Sequence, residues 1–157
     1  MKVIFLDYDG VCNNIIWDDD GKKANYNYPN DNKVNDFQAV QWISEFCQKY
    51  DYKIVVTSTW RTRENYKECL INGGLRAGVE ILGRVDIDLN YTMKRSELIA
   101  LYLKNHPEID GYLIFDDEYD DGTPKDHLVL CDHDGFHYTE FHIAKNKHEK
   151  LYNNKSM

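Results

Sequence analysis

Residues 3–11 read VIFLDYDGV, and this stretch decides the fold. Val3 to Leu6 is continuously apolar, the signature of a strand buried on both faces of a parallel sheet. It runs straight into two carboxylates one residue apart, Asp7 and Asp9, and then into Gly10. Two later stretches repeat the pattern. Lys53–Val56 (KIVV) is a second buried strand ending in Thr57-Ser58-Thr59, and Tyr112–Phe115 (YLIF) is another, ending in Asp116-Asp117. Between them lie helical patterns. From Asn35, the residues Phe37, Val40, Ile43, Phe46, Cys47 and Tyr50 recur at helical spacing. A second helix is expected from about Thr62 to Asn72, stopped by Gly73-Gly74, and a third from Lys94 to about Asn105, blocked by Pro107. Val79–Leu82 and His127–Leu130 read as short strands, and Thr139 as the cap of a final helix to about Leu151.

Strands alternating with helices imply right-handed crossovers. The fold class is therefore α/β: a three-layer, Rossmann-like sandwich on a mainly parallel central sheet. The 157 residues suit one domain spanning 1–157. Its one sizeable excursion is a polar, flap-like insertion at about 12–34, with room for a small hairpin. In such sheets ligands bind beyond the carboxyl ends of the strands. Asp7 and Asp9, Thr57 and Ser58, and Asp116 and Asp117 all fall on that edge.

Four carboxylates in one crevice are costly unless a cation or a proton relieves them. Hard oxygen ligands favour Mg²⁺, which also accepts phosphate oxygens. One carboxylate can then attack phosphorus, and a second can protonate the leaving alkoxide and activate water. A hydroxyl of Thr57, Ser58 or Thr59, a backbone N–H and Lys94 would neutralise the transferring phosphoryl oxygens. Each part alone has a plain alternative. A DxD is common in acidic loops, Asp-Asp ends many turns, and a lysine at a helix start is usually solvated. The order and placement of the parts carry the signal.

Taken together, VIFLDYDGV, KIVVTS, the Lys of TMKRSELI and YLIFDDEYDD resemble the four motifs of the haloacid-dehalogenase-like (HAD) superfamily of phosphatases. The resemblance spans residues 3–121. It implies that Asp7 is the nucleophile and Asp9 the acid/base, that Thr57 and the Ser58 backbone bind phosphate, and that Lys94 stabilises the charge. Mg²⁺ would be held by Asp7, the Asp9 backbone carbonyl and Asp116, supported by Asp117. TSTWR, and LVLCDHDGFHYTEFHIAK with its strand, DG turn and closing helix, look like the short HAD domains associated with RNA-repair proteins. That likeness bears on the subfamily rather than on an RNA substrate.

Composition bounds the partners. Nineteen Lys and Arg against 27 Asp and Glu leave a net charge of −8, which argues against a long nucleic-acid tract and leaves a phosphorylated small molecule or a nucleic-acid end. Cys12, Cys47, Cys69 and Cys131 show no CxxC pairing, and the start of the chain has neither a signal h-region nor a membrane span; a cytoplasmic protein with reduced thiols is expected. Trp17, Tyr26 and Tyr28 in the flap are candidates to stack on a base, or simply pin the flap to the sheet. Arg61 is a candidate to clamp a phosphate or carboxylate, or to pair with a neighbouring acid. His127, His133, His137 and His142 match no zinc spacing, and a solvated turn is the plainer account. Two other functions fit less well. A phosphoacceptor signalling domain places its acceptor Asp after a central strand and its Lys near the end. A non-catalytic binding module would have no need of both Asp7 and Asp9.

Overall fold

The structure, a computed structural model, describes residues 1–13, 15–17, 23–26, 36–88, 90, 92–132 and 134–152, with the backbone alone for 15–17 and 23–26. The elements in chain order are β1 (Lys2–Leu6), β2 (Ile15–Trp17), β3 (Lys23–Tyr26), α1 (Phe37–Tyr50), β4 (Tyr52–Val56), α2 (Tyr66–Asn72), β5 (Ile81–Arg84), α3 (Arg95–Asn105), β6 (Gly111–Asp116), β7 (Leu128–Leu130) and α4 (Tyr138–Tyr152). Five strands form one sheet in the order β5-β4-β1-β6-β7, and every pairing in it is parallel. The α/β, Rossmann-like expectation holds, and the sheet is parallel throughout rather than mainly so. β2 and β3 pair antiparallel as the hairpin of the insertion.

Alternation along β1 sets the layers, because successive side chains point to opposite faces. Ile4 and Leu6 join the apolar cluster built with Val40, Ile43 and Phe46 of α1 and Phe141 and Ala144 of α4. Val3 and Phe5 face the other way, onto Leu98 and Ile99 of α3. All four cysteines are buried, and none of them forms a disulfide. Among the described residues no helix is long and apolar enough to cross a membrane.

Boundaries differ from the sequence expectation where tertiary contacts intervene. α1 starts at Phe37 because the Asp36 side chain accepts the Ala39 N–H. α2 starts at Tyr66 instead of about Thr62, since Thr59–Thr62 form a tighter 3₁₀ turn. That turn is fixed by the Ser58 hydroxyl, which accepts the Trp60 N–H, and by the Arg61 guanidinium, which donates to the Thr57 and Ser58 carbonyls. The strand expected at Val79–Leu82 lies at Ile81–Arg84. α4 begins at Tyr138, where the Glu140 side chain accepts the His137 N–H.

His148 of α4 gives the fold a pH dependence. It is 6% exposed, shares a 2.9 Å hydrogen bond with the Tyr52 hydroxyl through Nδ1, and lies among the rings of Phe46, Tyr50 and Tyr52. Burial lowers its pKa, and Lys2 adds to the effect. The unfolded chain therefore binds this proton more readily than the folded one. Stability is present above the unfolded value of about 6.5 and is lost as pH falls from there toward the folded value. Urea denaturation at pH 7.5 and 5.5 should show wild type losing more stability on acidification than His148→Gln. Equal losses would remove His148 as the cause.

Candidate active site

Strand register brings the chemistry to one level. Leu6 pairs with Val56 on one side and Phe115 on the other, so Asp7, Thr57 and Asp116 lie side by side at the carboxyl ends of three adjacent strands. Backbone bonds carry this alignment past the sheet. The Asp7 N–H donates to the Phe115 carbonyl at 3.0 Å, and the Thr57 N–H donates to the Leu6 carbonyl at 2.9 Å. Oxygens of Asp7, Asp116 and Asp117 all lie within 4.8 Å of one another, and all three residues are buried. Among the described residues no other group of three His, Cys, Asp or Glu is arranged to hold a metal.

Gly10 makes the first turn possible. Its φ is +80°, the left-handed region, and a Cβ there would run into the Asp117 carboxylate. Tyr8, between the two acids, turns into the core, where its hydroxyl donates to the Tyr66 carbonyl at 2.7 Å. Asp9 stands apart from the three buried carboxylates. Its Oδ1 accepts from the Trp60 indole N–H at 3.2 Å and from the Asn13 amide at 3.1 Å, while Asn13 Oδ1 accepts the Gly10 N–H. The Asp9 carboxyl is thus oriented from two sides.

The cation beside the carboxylates is Arg95, where the sequence pointed to Lys94. Arg95 Nη1 lies 2.7 Å from Asp116 Oδ2 and 3.4 Å from Asp7 Oδ1. Lys94 caps α3 and directs its ammonium outward to Asp121, at 2.6 Å. Lys94 has extended backbone just outside the helix, so its side chain leaves in a different direction from that of Arg95, the first helical residue. Burial, then Asp116 and Asp117, push the Asp7 carboxyl well above the usual range, with Arg95 opposing them. Burial likewise raises Asp116, again against Arg95, and Asp116 Oδ1 accepts the Glu118 N–H at 3.1 Å.

Thr57 and Ser58 are both buried at the end of β4. The Ser58 hydroxyl serves the 3₁₀ turn. Thr57 Oγ1 is the one buried side-chain polar atom without a hydrogen-bond partner among the described residues. Arg61 is buried, and its guanidinium donates to the carbonyls of Thr57, Ser58 and Asp86, tying the loop after β4 to the chain beyond β5.

The remaining expectations fall elsewhere. Trp17 and Tyr26 belong to β2 and β3, whose side chains lie outside the description, as do Tyr28 and His133. His127 stacks on Tyr112 and bonds to its carbonyl, while His137 meets Asp36 at 3.0 Å. Three site residues were not singled out from the sequence: Arg95 as the inward cation, and Asn13 and Trp60 as the supports of Asp9. Arg95 was visible as the neighbour of Lys94. Nothing in the order of residues pairs Trp60 with Asp9.

The chain matches the model of one protein family, the HAD domain in Swiss Army Knife RNA repair proteins, over residues 3–140. No curated protein and no solved structure matches it.

Proposed function

The chain belongs to the family of HAD domains in Swiss Army Knife RNA repair proteins, and from that membership we propose a Mg²⁺-dependent phosphomonoester hydrolase with Asp7 as nucleophile. Its substrate is a nucleotide or the phosphorylated end of a nucleic acid. The observation that carries this reading is Thr57 Oγ1, a buried hydroxyl without a partner beside the carboxylate cluster. Burying such a group unpaired costs about 1–3 kcal/mol, and a phosphate oxygen would satisfy it.

Asp7, Asp116 and Asp117 fit Mg²⁺: they are hard oxygen donors, gathered and buried. When bound, the ion neutralises this cluster and draws charge from the phosphoryl oxygens. The other work falls to the chain. The Asp7 carboxylate bonds to phosphorus as the P–O bond to the leaving group breaks, and Asp9 gives its proton to the departing alkoxide. Asp9 then takes a proton from water, which attacks phosphorus, releasing inorganic phosphate and free Asp7. Arg95 opposes the burial that raises the Asp7 carboxyl and so favours the ionised form that a nucleophile requires. Trp60 and Asn13 hold Asp9 in one orientation through both halves of the cycle. Four buried thiols outside any disulfide support a reducing compartment, the cytoplasm.

The test is hydrolysis of p-nitrophenyl phosphate with Mg²⁺ and with EDTA, alongside Thr57→Val. Turnover should require Mg²⁺. Thr57→Val should raise KM by about tenfold, the worth of one lost hydrogen bond to a charged group, without lowering the melting temperature of the ligand-free protein. A folded, Mg²⁺-loaded sample that turns over neither this ester nor any nucleotide would sink the proposal and leave a binding role on the same fold.

A further inference from the structure

On the α3 side of the carboxylates the crevice opens into a cavity of about 340 Å³, and Arg95 and Asp116 form the wall that the two spaces share. That volume falls within the range of small-molecule sites, about 300–1,000 Å³. Leu98, Ile99 and Ile114 line it with buried apolar surface. Ile87, Met93 and Tyr119 also line it, and these side chains are 38%, 36% and 53% exposed. Single exposed hydrophobics need no explanation, but three gathered at one cavity beside a catalytic crevice mark a binding surface. The Tyr119 ring has the Lys125 ammonium 5.2 Å from its centroid. Met93 is set by its N–H, which donates to the Asp88 carboxylate at 2.6 Å.

The charged lining is acidic on balance: Asp88, Glu118 and Asp120 join Asp116, while its two cations are engaged, Arg61 with backbone carbonyls and Arg95 with Asp7 and Asp116. Asp120 accepts from both the N–H and the hydroxyl of Ser96, and Asp88 also accepts from the Thr92 hydroxyl. A second phosphate would meet repulsion here, whereas a flat, uncharged group would find apolar side chains for its faces and carboxylates for its amino edges. Resting on the phosphatase reading above, we infer that this cavity seats the base of the substrate. The leaving group is then a nucleoside whose single phosphate reaches the carboxylates, either free or at the end of an oligonucleotide.

The chain has three methionines, Met1, Met93 and Met157, so methyl-labelled methionine gives a simple NMR reporter, with Met93→Leu identifying its signal. In the Mg²⁺-loaded wild type with inorganic phosphate, adenosine should shift the Met93 methyl through the ring current of the base, and ribose should not. The kcat/KM for adenosine monophosphate should exceed that for ribose 5-phosphate by at least about tenfold, the worth of one stacked base. That ratio should collapse in Tyr119→Ala. Running a phosphorylated trinucleotide beside the mononucleotide identifies the source of the nucleoside as whichever has the higher kcat/KM. A Met93 methyl unmoved up to the solubility limit of adenosine, or equal kcat/KM for the two esters, overturns the inference. Turnover with an unmoved Met93 removes the base site and keeps the phosphatase; a shifted Met93 without turnover of any ester does the reverse.

Discussion

Asp7→Asn should abolish turnover, by at least about a thousandfold as for other lost nucleophiles, while making the metal-free protein harder to unfold. The two effects have one origin. Asp7 is 5% exposed and shares its crevice with Asp116 and Asp117, so burial first, and then those neighbours, push its carboxyl well above the ordinary range. The folded state therefore holds this proton more tightly than the unfolded one. The linked stability of the metal-free protein is greatest in acid and falls as pH rises from the ordinary carboxylate value through the raised one. By pH 7 that loss counts against the native state, and asparagine removes it with almost no change of shape. Thermal scans in EDTA should show the variant melting a few degrees above wild type, and the gap should narrow toward pH 4. A variant that melts lower in EDTA, or that keeps measurable turnover, would remove Asp7 from the role assigned to it.

Replacing Arg95 should cost far more than replacing Lys94. Arg95→Met leaves Asp7 and Asp116 without their cation, and losing one such preorganised group lowers kcat by about 10²–10³. In EDTA this variant should melt below wild type, because two buried carboxylates lose their partner, and Mg²⁺ should raise its melting temperature by more than it raises that of wild type. Lys94→Met removes an exposed pair with Asp121, a kind of contact that solvent screens, and should leave kcat within about threefold. The reverse order of effects on kcat would return Lys94 to the site.

These two variants also mark where sequence reading succeeds and where it stops. Asp7, Thr57 and Asp116 were legible because each follows, or ends, a run of apolar residues that only a buried strand explains. A parallel sheet then leaves one edge for all of them. Position relative to a strand end is a one-dimensional property. Which of Lys94 and Arg95 lies beside the carboxylates is an angular matter, set by how α3 is turned against the sheet and by an Asp121 that pairs with Lys94. The supports of Asp9 were hidden for a similar reason. Asn13 lies within the same turn, but Trp60 comes from the loop after β4 and meets Asp9 only once β1 and β4 are paired. The start of α2 was misplaced because Arg61, read as a partner for a phosphate or an acid, gives its donors to backbone carbonyls and tightens the turn before the helix.

The position of β1 between β4 and β6 has a consequence for how the protein is made. The strand bearing Asp7 leaves the ribosome before either neighbour, with both hydrogen-bonding edges open. β4 closes one edge; the other waits for β6, which also brings Asp116 and Asp117, just after Arg95 on α3 has emerged. The nascent chain therefore carries Asp7 without Arg95, Asp116 and Asp117 until β6 has emerged. In that interval its open strand edge is the part most in need of a chaperone.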